Sequence, residues 1–140
     1  MEARHRFRVP GLLDGARGAA LELDAFSEAH GVPFEVKWPF HVALDEVLSN
    51  IVKYGLAGGD AQRQIELELA LDGGVLELTV VDDTAAFDPL SAPAPDLSLP
   101  IEERPVGGLG ITILKGLMDS VEYGRDGGRN RLVLRKRIAA

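Results

Sequence analysis

Apolar and polar positions alternate most sharply between residues 64 and 81. Ile65, Leu67, Leu69 and Leu71 mark every second position, Asp72-Gly73-Gly74 supplies a turn, and Leu76, Leu78 and Val80 repeat the pattern. A period of two on both sides of a glycine turn predicts an antiparallel hairpin with one apolar face. Asp82 continues the apolar series of the second strand. A carboxylate at that parity is costly to bury without a partner, so Asp82 stands out as a functional candidate. The plainer alternative is a strand-end turn former beside Asp83.

Helical spacing governs two earlier stretches. Leu13, Ala16, Ala20, Leu23 and Phe26 share one side of a helix over Leu13 to Ala29, with Gly31 placed to end it. Val32 to Trp38, with Pro33 early, reads as an extended segment, and Pro39 sits where a helix can begin. From there Phe40, Ala43, Leu44, Val47, Ile51 and Tyr54 form an apolar stripe. At roughly 100° per residue, Glu46 and Asn50 fall together on one flank and Asp45 on the other.

The rest of the chain is shorter in pattern. Arg6 to Val9 reads as a short strand ending at Pro10-Gly11, and Leu56 to Arg63 as a loop. Asp88 to Val106 contains prolines 89, 93, 95, 100 and 105 and has little periodicity; such a stretch is a lid or binding loop, or else a disordered linker. Gly107 to Gly110 opens a short helix carrying Ile111, Leu114, Leu117 and Met118. Val121 to Arg125 and Arg131 to Ile138 form a last hairpin around Asp126-Gly127-Gly128. The order β-α-β-α-β-β-loop-α-β-β, without internal repeats, predicts one domain over 1–140. Its class is α/β (α+β), a two-layer sandwich with helices on one face of the sheet.

Composition narrows the function more than the fold. With 46% hydrophobic and 26% charged residues, the chain reads as an ordinary globular protein. No apolar run approaches the roughly 20 residues of a membrane span, and the N-terminus lacks the apolar core of a signal peptide. The absence of cysteine excludes disulfides and thiolate metal sites and fits a cytoplasmic protein. A net charge of −7 argues against non-specific nucleic-acid binding. The charge is uneven: Arg125, Arg129, Arg131, Arg135, Lys136 and Arg137 crowd the last strands, while Glu66, Glu68 and Glu77 lie mid-chain. Cross-strand pairing on an outer sheet face accounts for this, and a basic docking surface is the alternative.

Several residues could carry chemistry. A lone Asn carbonyl on a helix suits Mg²⁺, which takes one or two protein oxygens and completes its shell with water and phosphate. A neighbouring Glu suits the base that accepts a hydroxyl proton. Asn50 and Glu46 fill those two roles, although E-x-x-x-N is also common on exposed helix faces. Asp82 can accept a hydrogen bond from an exocyclic amine such as adenine N6. Gly107-Gly108-Leu109-Gly110 can present backbone N–H groups to phosphate, or simply form a tight turn. Phe87-Asp88-Pro89 looks like a turn closing over a pocket. His5, His30 and His41 show neither metal spacing nor assignable partner carboxylates, and read as surface or packing residues. There is no P-loop motif, so nucleotide binding needs another architecture.

Taken together, the stretches Asp45 to Gly55, Val81 to Pro89 and Gly107 to Ile111, closed by Val121-Glu122-Tyr123 and Gly127-Gly128-Arg129-Asn130, resemble one family. It is the anti-sigma-factor serine/threonine-protein kinase branch of the Bergerat-fold, histidine-kinase-like ATPases, and the resemblance runs from about Arg4 to Ile138. It implies a mixed, mainly antiparallel sheet and a lid at about 88–106. It implies ATP and Mg²⁺ as cofactors, with Glu46 as catalytic base, Asn50 as metal ligand, Asp82 on adenine, and Gly108 and Gly110 near the phosphates. It further implies that a homodimer phosphorylates a Ser or Thr of an anti-anti-sigma (STAS-like) protein and otherwise sequesters a sigma factor. One departure stands out: the family usually has glycine two residues after the adenine-binding aspartate, and here Thr84 fills that place. Its side chain narrows the pocket or substitutes as a polar contact. A partner-binding module of the same fold with weak or no kinase activity is therefore the alternative function.

Overall fold

The computed structural model describes residues 2–86 and 108–138. The stretch assigned to the lid and the Phe87-Asp88-Pro89 turn lie outside those residues. Five strands form one sheet in the order β1-β2-β3-β5-β4. These are β1 (Ala3–Gly11), β2 (Asp60–Asp72), β3 (Val75–Asp82), β4 (Ser120–Asp126) and β5 (Arg129–Arg137). All four pairings are antiparallel. Helices α1 (Gly15–His30), α2 (Phe34–Asn50) and α3 (Gly108–Leu117) supply the second layer.

The alternating stretch forms the hairpin β2–β3, with Asp72 opposite Val75. Gly73 and Gly74 bridge it at φ 59° and 77°, and Gly127 and Gly128 bridge β4–β5 at 59° and 76°. Two successive positive φ values match the right-handed twist of a hairpin and strain any residue with a Cβ. Both turns therefore fix register. Ile65, Leu67 and Leu69 on β2, Leu76, Leu78 and Val80 on β3, and Leu132 and Leu134 on β5 enter one core with Leu23, Phe40, Leu44 and Leu114 from the helices. Each fully buried Leu side chain contributes roughly 1.5–3 kcal/mol of transfer free energy.

The second helix differs from the sequence expectation. Val32 to Trp38 is not an extended segment: Pro33 takes the cap position in extended conformation, φ −71° and ψ 158°, and the helix starts at Phe34. Pro39 lies inside α2 rather than at its start. Its ring removes one hydrogen bond, to the carbonyl of exposed Glu35, where water can take over. At the other end α2 runs into a π-helical turn, Ile51–Gly55. That turn buries Val52 completely but leaves Tyr54, assigned to the apolar stripe, 52% exposed. With Val32 to Trp38 removed from the strands, α1 leads directly to α2, and β1 and β2 pair as neighbours. Strands also extend further than the periodicity suggested, β1 beyond Arg6 to Val9 and β2 back into the expected loop at Asp60.

Charge pairs cover the outer sheet face. Glu77 meets Arg135 at 2.7 Å, and Glu66 meets Arg129 at 3.2 Å and Arg8 at 3.1 Å. Glu68 pairs with Arg4 at 2.8 Å and Arg6 at 2.5 Å, both from β1. These guanidinium groups, Arg6 foremost, hold the Glu68 carboxyl below the usual glutamate range. Two histidines do have carboxylate partners: His5 against Glu22 at 2.7 Å and His41 against Asp24 at 2.8 Å. These contacts tie α1 to β1 and α2, and they arise from tertiary placement, not from sequence spacing.

Candidate nucleotide site

The end of α2 faces the end of β3 across a narrow slot of about 50 Å³. Asn50 and Gly55 line one wall, Asp82 and Thr84 another, and Asn130 and Leu132 of β5 the base.

Asp82 arrives there by strand parity. Two residues beyond buried Val80, it points to the core side and is only 7% exposed. Its Oδ1 accepts hydrogen bonds from the Thr84 backbone N–H at 3.0 Å and the Asn130 Nδ2 at 3.0 Å, and a third from the Thr84 hydroxyl. Its Oδ2 has no hydrogen-bond partner among the described residues. A desolvated carboxylate with one oxygen tied down and the other available is a directional acceptor. It selects for a donor on the edge of whatever enters.

On the facing helix, the Asn50 Nδ2 donates to Glu46 Oε1 at 3.2 Å. This i, i+4 contact fixes the amide so that its oxygen is left as an acceptor beside the slot. Glu46 itself stands one turn back, half-buried, and Asp45 is exposed on the opposite flank.

Thr84 is packed rather than dangling. A Cβ on Gly55 would lie 2.8 Å from Thr84 Cγ2 and 2.8 Å from its Oγ1. Only glycine at 55 lets the π-helical turn approach this side chain so closely. Below it, Arg63 donates to the Asp83 backbone oxygen at 3.1 Å and to its carboxylate. That guanidinium holds the Asp83 carboxyl below the ordinary aspartate range.

The structure thus brings Asn50, Asp82 and Thr84 into one slot with Glu46 close behind. Gly108 and Gly110 lie in the first turn of α3, which packs against α2. Sequence reasoning left out Asn130, Tyr123 and Arg125 as site residues. Asn130 stands directly opposite Asp82 in the β3–β5 register, and it continues the apolar parity of Leu132 and Leu134. The parity rule that singled out Asp82 therefore also marks Asn130.

A family profile described as the histidine kinase-like ATPase domain matches residues 9–136. The chain belongs to the histidine kinase-like ATPase family. Among curated proteins, it is 29% identical over 99 residues to the serine/threonine-protein kinase BtrW of Bordetella bronchiseptica, spanning 71% of this chain and 69% of that one. Among solved structures, this ATPase domain is similar to the RsbU and RsbW domains of a Mycobacterium tuberculosis protein. The TM-score is 0.70 at 16% identity, covering 99% of this chain and 33% of that longer one. It also resembles a chain of the SiaB-SiaC complex of Pseudomonas aeruginosa, TM-score 0.56 at 15% identity, over 94% of this chain and 88% of that one. The histidine kinase AdeS of Acinetobacter baumannii matches with TM-score 0.52 at 11% identity, over 97% and 68% of the two chains. At these identities the solved structures establish the Bergerat-type fold, and the family assignment rests on the profile.

Proposed function

We propose that this histidine kinase-like ATPase domain binds ATP in the slot and phosphorylates a Ser or Thr of a small anti-anti-sigma (STAS-like) partner, sequestering a sigma factor in the same pathway as a homodimer. The observation that carries the reading is that Asp82, with Oδ2 available, and Asn50, with its amide oxygen available, line the same slot. These groups fit an adenine edge at one end and a phosphate-bound cation at the other. Asp82 accepts from the exocyclic amine. Asn50 is the group that would hold Mg²⁺, which when bound neutralises phosphate charge. Gly108 and Gly110 offer backbone N–H groups at the start of α3 for the phosphates. Glu46 accepts the proton of the attacking hydroxyl, and its contact with Asn50 keeps that base beside the metal position.

The kinase reading is supported by the similarity to a serine/threonine-protein kinase, and the likeness to a chain of the SiaB-SiaC complex is consistent with a protein partner. The test is transfer of labelled phosphate from Mg-ATP to a STAS-domain protein from the same genome. Glu46→Gln is expected to retain nucleotide binding and lose transfer by about 10²–10⁴-fold, the usual range for a general base. Wild-type transfer by that variant would remove Glu46 from the mechanism. One observation favours the second reading, a partner-binding module with weak or no kinase activity: Thr84 occupies the slot wall where it meets Gly55. Absence of ATP binding with retained partner binding would select it.

A further inference from the structure

Behind Asp82 stands a second layer of polar groups with no role in the reading above. Asn130 is 6% exposed. Its Oδ1 accepts from the Tyr123 hydroxyl at 2.5 Å and from Arg125 Nη1 at 3.0 Å. Its Nδ2 donates to Asp82 Oδ1 at 3.0 Å and to the Ala85 backbone oxygen at 3.0 Å. Arg125 Nη1 also donates to the Thr84 backbone oxygen at 3.1 Å. Two donors on the amide oxygen permit only one orientation of the Asn130 side chain: oxygen toward β4, nitrogen toward Asp82. With Oδ1 of Asp82 engaged by that nitrogen and by Thr84, the carboxylate cannot rotate without breaking three bonds.

We propose that Asn130, held by Arg125 and Tyr123, is a positioning residue that turns Asp82 so that Oδ2 faces the ring entering the slot, and that Arg125 sets selectivity for a base with an exocyclic amine. The inference rests on the nucleotide reading of the slot. Arg125 acts at a distance: it lies at the exposed end of β4, outside the slot lining, and among the described residues it reaches the recognition residue through Asn130 and the Thr84 carbonyl. Its loss removes one of the two donors that hold the Asn130 amide oxygen. It also releases the Thr84–Ala85 peptide, which leaves the Asp82 carboxylate in place but less firmly fixed in direction.

The test compares ATP with purine riboside triphosphate, which lacks the N6 amine, by titration calorimetry on wild type, Arg125→Ala, Arg125→Lys and Asn130→Ala. Wild type is expected to prefer ATP by about tenfold, the worth of a hydrogen bond to a charged acceptor. Arg125→Ala is expected to lose most of that preference through weaker ATP binding with the analogue unaffected, and Arg125→Lys to recover part of it. Asn130→Ala is expected to lose the preference too. If it does not fold, exposed Arg125 still decides the matter. Hydrogen exchange of the Thr84 amide, read without nucleotide, is expected to speed up in Arg125→Ala. If wild type binds neither triphosphate, the nucleotide reading falls, and this inference falls with it. If wild type prefers ATP and Arg125→Ala keeps both that preference and the slow Thr84 amide, the positioning role alone is overturned.

Discussion

Thr84 concentrates the chemistry of this chain in one side chain. Its hydroxyl and its backbone N–H both engage Asp82, and its γ-methyl packs against Gly55. Replacing it with glycine removes the hydroxyl's hydrogen bonds to Asp82 and from Asn130 and adds backbone freedom. Thr84→Gly is therefore expected to lower stability by roughly 1–2 kcal/mol, seen as a fall in denaturation midpoint. The same change widens the slot, so Mg-ATP affinity should rise. An affinity equal to or below wild type would show that Thr84 does not limit access. Parity made Asp82 legible in the sequence, and the spacing of Glu46 and Asn50 was legible as a helical turn. The contact between Thr84 and Gly55 was not, because nothing local in either stretch says that a π-helical turn meets a strand end.

At the level of elements, hairpins were the easiest to read and α2 the hardest. Alternation and paired glycines dictate β2–β3, where a one-residue slip would turn the apolar face outward, and the glycine pair marks β4–β5. In α2 the presence of two prolines misplaced the start. Pro39 suits a first helical turn, but Pro33 already provides one, and the buried Val36 rewards the longer helix. The outer-face pairs on the sheet give an element-level prediction. The Glu68 carboxyl is held low chiefly by Arg6, so its contribution is complete above the ordinary glutamate pKa of about 4.3 and fades as pH falls through the lower folded value. Glu68→Gln should thus be less stable than wild type near neutral pH, by at most about 1 kcal/mol given how exposed Arg4 and Arg6 are. The two proteins should converge in acid, as followed by chemical denaturation across pH. A difference that grew as pH fell would contradict the assignment.

Over the whole molecule, the helices and the sheet divide the labour. The buried face carries the core and, at the open end of β3 and β5, the polar cluster of Asp82, Thr84 and Asn130. The outer face carries paired charge, and among the described residues no helix is long and apolar enough to cross a membrane. A sequestering or dimer surface leaves no short motif in a sequence, so neither is legible from local pattern. We propose that this slot recognises a nucleotide through Asp82 and Asn50. The decisive measurement is calorimetric titration of the protein with ATP, with and without Mg²⁺, alongside Asp82→Ala and Asn50→Ala. Saturable binding that weakens at least about tenfold in Asp82→Ala, and that loses its Mg²⁺ dependence in Asn50→Ala, is the predicted result. Binding that is indifferent to both substitutions, or no binding at millimolar ATP, would contradict it.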